Sequence, residues 1–200
     1  MSDKPHLIST RRCFLSTAGP LCALACLKGG EVLGQDAAKH KFDTPVDKIP
    51  TLRESFANQF GPVIGLARTM ESQLGNGKTI DILKKGAYDY GYQRGQQQAK
   101  DAEQPSLHAY TRQFTDPKAF ENTVTMSVVE DGPRAVELRV TECLWASTFL
   151  DAKAGDIGYA FICYGDYGWT KGYSEGFELI RDKTLMQGHD HCNHRYVAKG

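Results

Sequence analysis

The sequence predicts an α+β fold: N-terminal helices packed on an antiparallel sheet of about four strands, with helices inserted between strands two and three. Three observations predict it. Leu52, Phe56 and Phe60 recur four apart, the spacing of one helical face. The run "NTVTMSVVEDGPRAVELRVTE" alternates about Asp131-Gly132-Pro133, a hairpin signature. Near the C-terminus "GFELIRDKTL" and "HDHCNHRYVAK" read as two more strands, and runs of helical character separate them from the hairpin.

In chain order, residues 1–35 read as an address. Arg11-Arg12 precede Phe14-Leu15 and the short apolar run "PLCALACL", the plan of a secretory signal of the twin-arginine type, which carries folded proteins. That run is too short to span a membrane. A lipoprotein at Cys26 is disfavoured because the large apolar residue, Leu24, sits one place late. The expected product is exported and periplasmic, beginning near Gln35. Residues 36–50, "DAAKHKFDTPVDKIP", form a polar linker, and 51–200 a single domain.

Within that domain a first helix runs from Thr51 to Leu74, and Pro62 is expected to kink or interrupt it. A second covers about Thr79 to Lys100, and a third follows Pro105 at "SLHAYTRQF". In the hairpin Val136, Leu138 and Val140 share one face and Glu137 and Arg139 the other, so one face is apolar. "CLWASTFLDA" and "DIGYAFICYGDYGWT" read as short helices. Arg181 and Lys183 alternate on the third strand and are expected to share a face. On the fourth, Asp190, Cys192, His194 and Tyr196 share one face, and His189, His191, Asn193 and Arg195 the other.

Composition narrows the function classes. The chain has 24 basic and 24 acidic residues, so nothing recommends nucleic acid as a partner. The expected partner is a small molecule, and the oligomeric state is left open. Phosphate loop, dinucleotide fingerprint, G-x-S-x-G elbow and C-x-x-C pair are all missing. Of six cysteines, three lie in the signal, leaving Cys143, Cys163 and Cys192, an odd number that cannot fully pair. Cys163 and Asp166 stand three apart in a helix and share a face. Cys143 lies where a strand yields to a helix, a place that lowers a thiol pKa. Alternation puts Cys192 and His194 together, and a sulfur–nitrogen set of Cys143, Cys163, Cys192 and His194 is one that zinc accepts. Arg181 offers a two-pronged donor for a substrate carboxylate. The aromatics of "YGDYGWTKGY" either line a pocket or pack in the core.

The order "TECLWASTF", "DIGYAFICYGDY", "FELIRDKTLMQGHDHCNHRY" resembles the L-2-amino-thiazoline-4-carboxylic acid hydrolase family over roughly Glu121 to Tyr196. Cys143, Cys163 with Asp166, Arg181, Gly188 and Cys192 carry the likeness. His189 stands where that family often has Asp, and His194 where Phe is common. The resemblance implies hydrolysis of a cyclic isothiourea to N-carbamoyl-cysteine. Cys163 or Cys192 would attack as a thiolate, or Asp166 or His194 would activate water. Cys143 completes the thiol wall, while Arg181, Gly188 and Asp190 form the substrate-binding set. No cofactor is implied, and zinc is the alternative. The Gly188-x-x-x-Cys192 ending also resembles, distantly, small-molecule-binding domains of the vinyl-reductase type, some of which bind zinc near that cysteine. A non-catalytic exported protein that binds a small molecule or zinc in the same pocket is the second reading.

Overall fold

A computed structural model describes residues 49–199 apart from 117 and 119. The expected signal segment, and the linker up to residue 48, lie outside the described residues. From Pro50 onward the chain forms one unit. Among the described residues no helix is long and apolar enough to cross a membrane.

Helix α1, Leu52–Leu74, opens on a capping box. The Thr51 hydroxyl accepts from the Glu54 N–H, and the Glu54 carboxylate accepts from the Thr51 N–H, satisfying two otherwise orphaned donors. Pro62 lies inside α1 without interrupting it, so of the expected kink or interruption the interruption does not occur. Both Pro62 and Asn58, whose carbonyl would have received the missing N–H, are exposed, which leaves that carbonyl on the solvent side of the helix. Helix α2, Asn76–Asp101, follows at the left-handed Gly75. Helix α3, Leu107–Thr115, starts where the Ser106 hydroxyl accepts from the Ala109 N–H.

Strands β1, Val124–Asp131, and β2, Ala135–Cys143, form the expected hairpin. Helix α4, Leu144–Asp151, comes next, then a short turn of helix, Gly155–Gly158, here α5. A π-helical segment, Tyr159–Cys163, leads into α6, Gly165–Tyr173. Strand β3, Phe177–Ile180, a 3-10 turn at Leu185–Gln187 and strand β4, Cys192–Ala198, complete the chain. The sheet is antiparallel with order β1-β2-β4-β3, so helices do stand between the second and third strands, as expected.

Both late strands are shorter than the alternation suggested. β3 stops at Ile180, so Arg181 and Lys183 do not share a strand face: Arg181 is buried and Lys183 exposed. β4 begins at Cys192 because Gly188, at φ 87°, turns the chain through the left-handed region just before it. His189, Asp190 and His191 therefore belong to a turn, not to the faces of a strand.

Two apolar clusters form the core. One joins Leu107, Tyr110 and Phe114 of α3 to Val136, Leu138, Leu179 and Tyr196 of the sheet and Tyr173 of α6. The other joins Phe60 and Ala67 of α1 to Ala146, Phe149, Ala154, Ile157 and Met186. Helices α2 and α6 meet closely along glycines. A methyl group added at Gly91 or Gly95 would collide with the carbonyls of Gly165 or Trp169, and one at Gly168 or Gly172 with those of Tyr88 or Tyr92.

Candidate functional site

Where the two clusters adjoin, members of both line a half-open cavity of about 630 Å³, within the size range of small-molecule sites. Its walls are largely aromatic and aliphatic: Phe114, Phe120, Trp145, Phe161, Trp169 and Tyr196, with Met126 and Val140 from the hairpin. Asp166, His194 and the three thiols, Cys143, Cys163 and Cys192, also line it. The residues that the sequence singled out for catalysis thus face a common space.

Arg181 organises the polar corner from behind, and its side chain is fully buried. Nη1 donates to Asp166 Oδ2 at 2.7 Å and to His194 Nε2 at 2.9 Å, and Nη2 donates to the Cys163 carbonyl at 2.7 Å. That carbonyl closes the π-helical segment, where the Tyr167 N–H turns to the Tyr164 carbonyl. The guanidinium carbon lies 4.9 Å from the centre of the Tyr167 ring. With both terminal nitrogens so engaged and Nε buried without a partner, Arg181 is not among the cavity-lining residues, where a carboxylate clamp was expected.

The bonding of Arg181 fixes the state of its neighbours. Guanidinium only donates, so His194 Nε2 accepts and the ring proton resides on Nδ1. Burial, with the Arg181 charge beside it, drives the His194 pKa down to about 3, so the ring is neutral at physiological pH. Nδ1–H has no protein partner among the described residues. Asp166 Oδ1 has none either, while nearly a third of the side chain remains accessible. Burial pushes the Asp166 carboxyl above its usual range, and the Arg181 charge and hydrogen bond offset only part of this. The two residues, which both line the cavity and approach within 3.9 Å at their Arg181-bound atoms, thus keep one uncommitted donor and one uncommitted acceptor.

The thiols are held in their neutral form. Burial raises all three pKa values. At Cys143 the Sγ does cap α4, accepting from the Ala146 N–H at 3.5 Å, yet burial outweighs that bond, reversing the expected lowering. Cys192 Sγ accepts from the Leu185 N–H at 3.1 Å. None of the three is in a disulfide. Among the described residues no three His, Cys, Asp or Glu side chains come together as a metal ion requires. The zinc set of Cys143, Cys163, Cys192 and His194 shares the cavity without converging, and zinc at His194 Nε2 would have to displace a guanidinium.

Two expected binding residues lie elsewhere. Asp190 is exposed, 2.9 Å from His191 Nδ1 and 3.6 Å from Lys183 Nζ, because β4 starts too late to carry it inward. Gly188 lines a wider and more polar cleft of about 860 Å³ with Arg53, Glu142 and His189, and Val124 and Cys143 border both spaces. We assign the site to the 630 Å³ cavity because Asp166, His194 and all three thiols line it. Of the aromatic wall, sequence reasoning had only Trp169 among the aromatics that either line a pocket or pack in the core, and it missed the rest together with the cavity-facing side of α2, with Tyr90, Gly91 and Arg94. The small residues at 87, 91 and 95, opposite those at 165, 168 and 172, were the available signal for close helix contact.

The model of the L-2-amino-thiazoline-4-carboxylic acid hydrolase family matches residues 53–196. No curated protein matches the chain in sequence. Among solved structures, the crystal structure of the phenol-responsive sensory domain of the transcription activator PoxR with phenol is similar at 13% identity. Its TM-score is 0.49, over 72% of this chain and 74% of that one.

Proposed function

The chain belongs to the L-2-amino-thiazoline-4-carboxylic acid hydrolase family, and from that premise we propose that it opens the ring of a small carboxylated isothiourea in the aromatic-walled cavity. The observation that carries this reading is the polar corner, where Arg181 holds Asp166 and His194 with one acceptor and one donor uncommitted. One water is consumed. Its oxygen joins the carbon between ring sulfur and nitrogen, one proton ends on the ring nitrogen and the other on the sulfur, and the carbon–sulfur bond breaks to give N-carbamoyl-cysteine. Asp166, with its raised pKa, takes the proton from water and returns it to the departing sulfur. His194 Nδ1–H hydrogen-bonds the substrate and takes no part as a base, because its other nitrogen is committed to Arg181.

Of the two routes the residues left open, attack by water is favoured over attack by thiolate, because burial keeps Cys163 and Cys192 protonated. The reaction releases a thiol, which a disulfide reagent titrates on the purified protein supplied with the thiazoline acid. Asp166→Asn is expected to lose turnover about 100-fold or more, while Cys163→Ala and Cys192→Ser stay within about tenfold of wild type. A folded Cys163→Ala variant as inactive as Asp166→Asn would move the attack to the thiol. The same neutral thiols and apolar walls support a second reading, ligand binding without turnover. A wild-type protein that binds the acid yet releases no thiol would select it.

A further inference from the structure

With Arg181 committed behind the polar corner, the cavity interior offers a ligand carboxylate no cation among the described residues. A second arginine stands at its rim. Arg94 is exposed on α2, on the same side as Tyr90 and Gly91, and lines the cavity with them. Its guanidinium carbon sits 4.0 Å from the centre of the Trp169 ring. That ring is itself anchored. Trp169 Nε1 donates to Gln98 Oε1 at 2.7 Å, and the same oxygen accepts from Gln113 Nε2 at 2.9 Å. The planar cation is thus laid on a fixed aromatic surface. Stacking occupies its face and leaves the N–H edge available for a two-pronged acceptor. No carboxylate among the described residues pairs with it.

We infer that Arg94 captures the ligand's carboxylate at the cavity mouth, the inference resting on the proposed hydrolase reading for the ligand's identity. Asp166 and Trp169 are three residues apart in α6, about 4.5 Å along its axis. A five-membered ring bearing a carboxylate matches that separation, its reacting carbon toward Asp166 and its acid group toward the guanidinium over Trp169. Arg94 is then what distinguishes an acid from its uncharged analogue.

The test compares 2-amino-thiazoline-4-carboxylate with 2-amino-thiazoline, which lacks the acid, on wild type, Arg94→Ala and Arg94→Gln. Thiol release gives kcat/KM, and calorimetry gives affinity independently of turnover. Wild type is expected to prefer the acid, and both variants to lose at least tenfold of that preference, chiefly through KM. Equal weakening of both compounds would make Arg94 a prop for Trp169 and overturn the inference, as would an unchanged preference. Absence of turnover with an Arg94-dependent binding preference would instead defeat the hydrolase reading and leave the carboxylate site standing.

Discussion

A buried guanidinium that donates to a carboxylate, an imidazole and a carbonyl makes His194 the most informative single residue. Its folded pKa of about 3 lies below the ordinary 6.5. Between those values the unfolded chain binds a proton that the folded ring refuses, so this residue's contribution to stability is lost as pH falls from 6.5 toward 3. At about 1.4 kcal/mol per pH unit the limb is substantial, although Asp166, shifted upward, pulls the opposite way. His194→Gln keeps an acceptor for Arg181 and removes the titration. Denaturant unfolding at stepped pH should show the wild type losing stability across this window more steeply than the variant. Parallel curves would mean that the ring takes up its proton in the folded state.

At the scale of elements, the crossing of α2 and α6 places Trp169 and Asp166 against the α2 face that carries Arg94, and glycines make the approach possible. Gly95→Ala and Gly172→Ala each press a methyl group into backbone and should cost about 1–3 kcal/mol or more. Gly65→Ala, in the interior of α1 with open space around it, should stabilise by about 0.5–1 kcal/mol through helix propensity. Thermal unfolding of the three variants should give opposite signs, and a neutral Gly172→Ala would show that the crossing is looser than described. Element types were legible because each is written locally: the fourfold spacing of Leu52, Phe56 and Phe60, and the turn at Asp131-Gly132-Pro133. The end of β3 at Ile180 was not, since alternation continues past it and only long-range partners explain why Arg181 goes inward. The same holds for sheet order, as β4 lies between β2 and β3 through pairings that no local pattern encodes.

Across the whole molecule, the chemistry of the site was easier to read than its shape. Cys143, Cys163, Asp166, Cys192 and His194 were visible as reactive types, and they do line one cavity. Trp145, Phe161 and Tyr196 were not, because an aromatic that lines a void and one that fills a core have the same sequence pattern. The void sits where the two core clusters adjoin, so a ligand within it ties them together and should stabilise the unit as a whole. Saturation at about 100 times Kd adds about 2.7 kcal/mol, which for a domain of roughly 150 residues raises Tm by roughly 5–10 °C. Met126, on the edge strand β1, lines the cavity without being deep in the core, so Met126→Trp fills the space at small cost to the fold. The thiazoline acid should raise the wild-type Tm by that amount and leave the Met126→Trp value unchanged. A shift of equal size in both proteins would place the ligand outside the cavity, with the wider cleft beside Cys143 as the alternative.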